Sequence, residues 1–173
     1  MRLVKLEPQY RRHLNEMLEE WLSVESPADI TPRAIVRWDH RDFDAYLEHL
    51  EIREETDGQV PDSTFFCLDE EKDIFVGAVN IRHYLNQRLL MCSGHIGDGV
   101  RPSLRGRGIG TKMVGLALEE CRKLGITRVL MVCDSDNPAS ARTIIRNGGV
   151  MENEIEVDGF PVQRYWIDLG DKT

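Results

Sequence analysis

The sequence has no apolar run near the ~18 residues that a membrane-crossing helix needs. Its first residues, Met1-Arg2-Leu3-Val4-Lys5-Leu6-Glu7, carry no apolar signal-peptide core. No membrane partner is expected. Only four cysteines occur, at 67, 92, 121 and 133, and none has C-x-x-C spacing. That excludes a disulfide scaffold and reads as reduced core thiols in a cytoplasmic chain. The five histidines, at 13, 40, 49, 83 and 95, are scattered, so no metal is expected. Positive charge is in deficit: 22 Lys and Arg face 30 Asp and Glu, a net charge of −8. A nucleic-acid partner is therefore not expected, because no basic excess is there to displace counterions. The acidic balance leans instead toward a cationic substrate. Two nucleotide fingerprints are also missing. Glycines at 106 and 108 would demand a third at 111, which is Thr111, and no Gly-Lys-Ser/Thr occurs. A protein that holds ATP or NAD through this loop is thereby disfavoured.

What is present is a glycine-rich run, Arg105-Gly106-Arg107-Gly108-Ile109-Gly110-Thr111. It lies between the strand-like Ile96-Gly97-Asp98-Gly99-Val100 and a helical pattern with Met113, Ala117, Cys121 and Leu124 on one face. A glycine turn that opens a helix is an anion site. The first N–H groups of the helix lack internal partners and the helix dipole adds positive potential. Arg105 and Arg107 add two permanent cations. The expected ligand carries phosphate.

At 173 residues the chain reads as a single domain over 1–173 with room for a substantial core. Residues 2–6 form a first strand, and Pro8 to Leu22 a helix with Leu14, Met17, Leu18 and Trp21 on its stripe. Residues 23–38 are a loop with a turn of helix. Phe43 to Glu54 is predicted as a second helix, its acidic stretch 48–55 a solvated face. Strands at 63–68 and 74–85 pair across an acidic turn, and 86–93 is a connection of undefined type. His95–Val100 and Thr127–Cys133 are the next strands. Asn137 caps a helix with Pro138 at its first position, and that helix ends at Asn147-Gly148-Gly149. Strands at 150–157 and 160–168 hinge at Asp158-Gly159. Strands and helices mix without strict alternation, so the class is α/β with a mixed sheet.

The pattern R/Q-x-x-G-x-G/A, here Arg105, Gly108 and Gly110, resembles the pyrophosphate loop of the GNAT acetyltransferase superfamily. The order strand, glycine loop, helix, strand, Asn-capped helix, Gly-Gly matches that family over roughly 62–168. Gly148-Gly149, Asn153-Glu154 and Arg164-Tyr165-Trp166 resemble one bacterial subgroup. The resemblance implies a GNAT-like fold: a mixed, mostly antiparallel sheet of about seven strands flanked by about four helices. It implies acetyl-CoA as acyl-donor cosubstrate and a small-molecule or peptide amine as acceptor. Homodimers are one assembly it allows. The cofactor-binding residues it implies are Gly99, Val100, the run Arg105, Gly106, Arg107, Gly108, Ile109, Gly110 and Thr111, then Asn137 and Ser140. The pantetheine arm would pair against Asp98-Gly99-Val100, with the Val100 N–H on the thioester oxygen. Gly97 and Gly99 fit either a bulge or a close backbone approach.

The family's acid is often a Tyr seven residues after the capping Asn. That position is Ile144 here. The proton-transfer candidates are then Asp98 first, Tyr165 second and Glu154 third, with His95 and Glu152 behind them. Regular alternation puts His95 on the face opposite Asp98. Trp38, in a loop, and Trp21 are candidates for the wall of an acceptor cleft. The reading that follows is an N-acetyltransferase working by direct attack of a primary amine. The alternative is a catalytically silent acyl-CoA-binding sensor or interaction module, favoured by the lost Tyr.

Overall fold

The structure is a computed structural model that describes residues 1–170. Seven strands and five α-helices follow in the order β1 (Arg2–Val4), α1 (Arg11–Val24), α2 (Phe43–His49), β2 (Asp62–Asp69), β3 (Ile74–Arg82), α3 (Gln87–Cys92), β4 (Ile96–Val100), α4 (Ile109–Lys123), β5 (Arg128–Asp134), α5 (Pro138–Arg146), β6 (Val150–Val157) and β7 (Phe160–Asp168). The expected seven strands are present, but they form two sheets, ordered β1-β2-β3-β4 and β5-β7-β6. Every ladder within them is antiparallel.

Strands β2 and β3 are buried on both faces, so their sequences are nearly continuous apolar runs rather than alternating ones. One face packs Phe66, Phe75 and Ala78 against Leu14, Met17, Leu18 and Trp21 of α1 and Phe43 and Tyr46 of α2. Phe66 and Phe75 stack with ring centroids 5.0 Å apart. The other face packs Cys67, Val79 and Ile81 against Met113, Ala117 and Cys121 of α4, and this core continues to Val129, Met131, Tyr165 and Ile167 of the second sheet. The first sheet is thus the middle layer, with α1 and α2 on one side and α4 and α5 on the other. Cys67, Cys121 and Cys133 are buried and unpaired, and burial pushes the Cys67 thiol up to about 11.

Two local expectations fail for identifiable reasons. Helix α2 stops at His49 instead of Glu54. Ile52 leaves the helix to pair with Asp62: its N–H donates to Asp62 Oδ1 at 2.9 Å, and the Asp62 N–H donates to Ile52 O at 2.9 Å. Residues 87–92, expected as an undefined connection, form α3, because Asn86 caps it by accepting the Leu89 N–H at 2.9 Å. Arg164 then anchors this helix through the Leu90 carbonyl at 2.8 Å. The β6–β7 hinge carries two positive φ angles, Asp158 at 51° and Gly159 at 83°, as a two-residue hairpin requires.

Candidate functional site

The two sheets meet at the root of β4 and β5. Gly94 bridges Met131, and the His95 N–H donates to Leu130 O at 2.8 Å. The Leu130 N–H in turn donates to His95 Nδ1 at 2.9 Å. Past this junction β4 pairs only with β3 and β5 only with β7 among the described residues. The facing edges of β4 and β5 therefore leave a gap. The Arg101 N–H donates to Val76 O, so residue 101 points its backbone at β3. Alternation turns Asp98 and Val100 the other way, into the gap. Their carbonyls are already engaged there: Thr31 Oγ1 donates to Asp98 O at 2.9 Å, and Arg105 Nε to Val100 O at 3.0 Å.

Strand β4 pairs in regular register, with no bulge at its glycines. Of the two readings of Gly97 and Gly99, close approach is the observed one. A Cβ on Gly99 would lie 1.9 Å from Thr31 O and 2.9 Å from the Trp21 ring. The loop after α1 lies directly on this strand and tolerates no side chain beneath it.

The glycine run opens α4 as expected. Gly106 and Gly108 both have φ of +76°, and a Cβ at either would meet nothing within 4 Å. Gly108 is the N-cap, so the N–H groups of Ile109, Gly110 and Thr111 have no acceptor in the preceding turn. The loop is a cradle of backbone donors facing open space, at the positive end of a 15-residue helix. Gly110 closes its floor, since a Cβ there would sit 3.5 Å from Val100 Cγ2 and 3.7 Å from Thr143 Oγ1 of α5. Asn147 fastens α5 to this end of α4 by donating to Thr111 O at 3.1 Å.

A family model described as an acetyltransferase (GNAT) domain matches residues 2–150. The chain belongs to the GNAT acetyltransferase family. No curated protein matches it. Among solved structures, a spermidine N-acetyltransferase SpeG mutant from Vibrio cholerae superposes with a TM-score of 0.64 at 16% identity, over 98% of this chain and 95% of that one. The microcin C7 self-immunity acetyltransferase MccE, solved with acetyl-CoA and AMP, gives 0.66 at 17% identity over 96% and 91%. The putative acetyltransferase yncA from Salmonella typhimurium, solved with acetyl-CoA, gives 0.63 at 16% over 98% and 94%. These likenesses are of fold.

In this GNAT chain the two loop arginines differ. Arg107 makes no ion pair among the described residues, whereas Arg105 bonds Glu25 and lies 5.7 Å from the Trp21 ring centroid. Its guanidinium holds the loop to α1 as much as it faces the cradle. Glu20 does the same one turn earlier. It accepts the Ser103 N–H at 2.9 Å and pairs with Arg101. Burial opposes the Glu20 charge, yet these donors hold its carboxyl below the usual range. Asn137 caps α5 as expected, accepting the Ser140 N–H at 3.1 Å.

Asp98 lies on the α4 side of the gap. No cation pairs with it among the described residues. It keeps some access to solvent, but the protein surrounds it closely enough that burial pushes its carboxyl up to about 6. Its charge reaches Cys133 across the gap, and Cys133 in turn neighbours Tyr165. Tyr165 is buried in the second sheet, its hydroxyl donating to Gln163 Oε1 at 2.7 Å, and Gln163 Nε2 donates to Glu154 Oε2 at 3.0 Å. The three sequence candidates thus fall on one side of the molecule, with Glu154 at the exposed outer end. His95 faces away, as alternation predicts. Burial, then the Arg82 cation, pulls its pKa down to about 4. Ile144, where the family's Tyr would stand, is fully buried core.

Arg164 and Trp166 both bond Glu152, tying β7 to the edge strand β6. Trp21 is core, while Trp38 lines a groove of about 680 Å³ between α1 and residues 35–41 and stacks on His49 at 3.9 Å. Sequence reasoning passed over Thr31, Glu20 and Glu25, which belong to neither motif. It also passed over buried polar residues on the α1 face of the sheet, Asp62, Thr64 and Asn80. Their signal was available, since each is a polar residue in or beside a strand that is otherwise apolar.

Proposed function

We propose that the protein moves an acetyl group from acetyl-CoA to a primary amine by direct attack, with Asp98 as general base. The observation that carries this reading is the unpaired Asp98 carboxyl, held near pKa 6 at the edge of the gap. A group with that pKa is ionised at neutral pH and still basic enough to take a proton from an attacking amine.

The donor fits the residues present. The cradle of Gly106, Arg107, Gly108, Ile109, Gly110 and Thr111 offers backbone donors to a pyrophosphate, with open space where glycine omits a Cβ. Gly99 and Val100 lie along the arm that leads from it, and Asn137 and Ser140 flank the far side at the start of α5. The Val100 N–H, turned into the gap, is the donor for the thioester oxygen. As the amine forms its new N–C bond, its proton passes to Asp98, the C–S bond breaks and the thiolate departs. Tyr165 is the second group able to hand a proton to that sulfur, once its hydroxyl turns from Gln163 Oε1.

Ile144 is the one observation favouring a silent acyl-CoA-binding module instead, because no helix-borne acid can act there. A thiol-release assay with acetyl-CoA across an amine panel separates the two. The transferase reading requires amine-dependent thiol release in excess of hydrolysis. Acetyl-CoA binding without any such release supports the silent module.

A further inference from the structure

The α1 face of the first sheet holds more positive charge than it neutralises. Asp62 of β2 is buried and both of its oxygens are used: Oδ1 accepts the Ile52 N–H at 2.9 Å, and Oδ2 takes the Arg37 guanidinium at 2.8 Å. Arg82 lies opposite Asp62 in the β2–β3 register yet makes no hydrogen bond to it. Its contacts are two long ones, to Ser93 O and Gly94 O, both at 3.5 Å. Two guanidiniums therefore share one carboxylate, and the Arg82 side chain stays half-buried rather than sealed from solvent. Beside them, Asn80 uses one end of its amide on Thr64 Oγ1 at 3.0 Å, while its buried Oδ1 has no partner. The spare guanidinium donors cost free energy unless an acceptor completes them, whereas the Asn80 oxygen is itself an acceptor and calls for a donor.

The place is specific. The Arg82 guanidinium nitrogens lie 3.4 and 3.5 Å from where a Cβ on Gly97 would stand, with the Pro32 ring at 3.4 Å on the same spot. Gly97 is the residue before Asp98, so the guanidinium lies against the strand that borders the gap, on the face opposite the Asp98 side chain. A side chain at Gly97 would press on Arg82, and glycine leaves the guanidinium seated against the strand.

We infer that the acceptor amine also carries a carboxylate a few bonds away, and that Arg82, with Arg37 behind it, holds that carboxylate while the amine reaches the gap. This deepens the transferase reading and rests on it. A guanidinium fork is matched to a carboxylate in shape as well as charge. A guanidinium on the strand that borders the gap suits an amine that also carries a carboxylate and disfavours polyamines, whose second charge has the wrong sign. The whole-chain charge of −8 leans the other way. Net charge governs the distant field, and the local pair governs what docks.

The test is a thiol-release assay with leucine, lysine and glutamate, each against its C-terminal amide, and with spermidine. The free acids should exceed their amides about ten- to hundredfold in kcat/KM, the effect expected for one hydrogen-bonded charge pair. Arg82→Gln should raise KM for the acids by a similar factor, and Arg82→Lys should recover part of it. Acids and amides used equally, or spermidine preferred, would overturn the inference while leaving the transferase reading intact. If no amine releases thiol, the transferase reading fails. Calorimetric titration of leucine and leucinamide into the CoA-saturated protein then still decides, because selective binding of the acid supports the carboxylate site and equal or absent binding overturns it. Should Arg82→Gln not fold, the acid-to-amide comparison in the unaltered protein carries the test.

Discussion

Replacing Asp98 by Asn should slow the enzyme and stabilise it at once. Burial raises the Asp98 carboxyl from 3.8 to about 6, a difference of about 2 units. Each unit is about 1.4 kcal/mol, so the ionised form is disfavoured in the fold by up to about 3 kcal/mol. Partial solvent access reduces this, and about 1–3 kcal/mol is the working range. The sign follows from proton binding. Between pH 3.8 and 6 the folded protein holds this proton more firmly than the unfolded chain does. Stability from this group is therefore lost as pH rises through that window, and above it the full penalty stands. Asn carries no charge and nearly the same volume, so Asp98→Asn should melt higher than the parent well above pH 6, by about 2–10 °C. The advantage should vanish as pH approaches 3.8. In the same variant kcat should fall by about 10²–10⁴-fold, the usual weight of a positioned base. The ascending limb of the kcat/KM–pH profile, with its midpoint about 6, should disappear with it. Paired melting curves and pH–rate profiles measure both effects. A variant that melts no higher would refute the desolvation argument. One that keeps both its rate and its limb would refute the assignment of Asp98 as base.

Gly108→Asp should abolish acetyl-CoA binding by calorimetry, because it aims a carboxylate at the phosphate cradle, while the left-handed φ of +76° costs only about 1 kcal/mol of stability; an unchanged dissociation constant in a folded variant would remove this loop from the donor site. Asn137→Ala should cost about 1 kcal/mol as a lost N-cap and also weaken acetyl-CoA binding; a lower melting temperature at unchanged affinity leaves capping as its whole role. Tyr165→Phe should leave the core packed and lower kcat, without moving the acetyl-CoA dissociation constant, if the hydroxyl serves the sulfur. An unaltered kcat would assign that step to solvent.

The helical faces of α1 and α4, the cap at Asn137 and the hairpin at Asp158-Gly159 could all be read from the chain, because each rests on contacts within a few residues. The glycine loop was legible for the same reason: its φ angles and its helix start are local properties of Gly106 and Gly108. What could not be read were partnerships across long separations. Nothing near Ile52 announces that Asp62 will take its N–H and end α2 early. Nothing near Arg105 announces that Glu25, 80 residues away, will bind its guanidinium. The two sheets are joined at the root of β4 and β5 through His95, whose ring accepts the Leu130 N–H, and local propensity carries no signal for that either. The departure at Ile144 was visible at once, but only the fold shows it absorbed into core.

Glu20 and Glu25 give α1 a second consequence. One helix supports the face over which an acceptor would lie and, through Arg101, Ser103 and Arg105, grips the loop that would hold the donor. A ligand that moves the loop by shifting α1 would change affinity on the other side, and by thermodynamic reciprocity the two binding constants would then change by the same factor. The coupling between the two substrates would in that case run through a pair of glutamates at the end of α1.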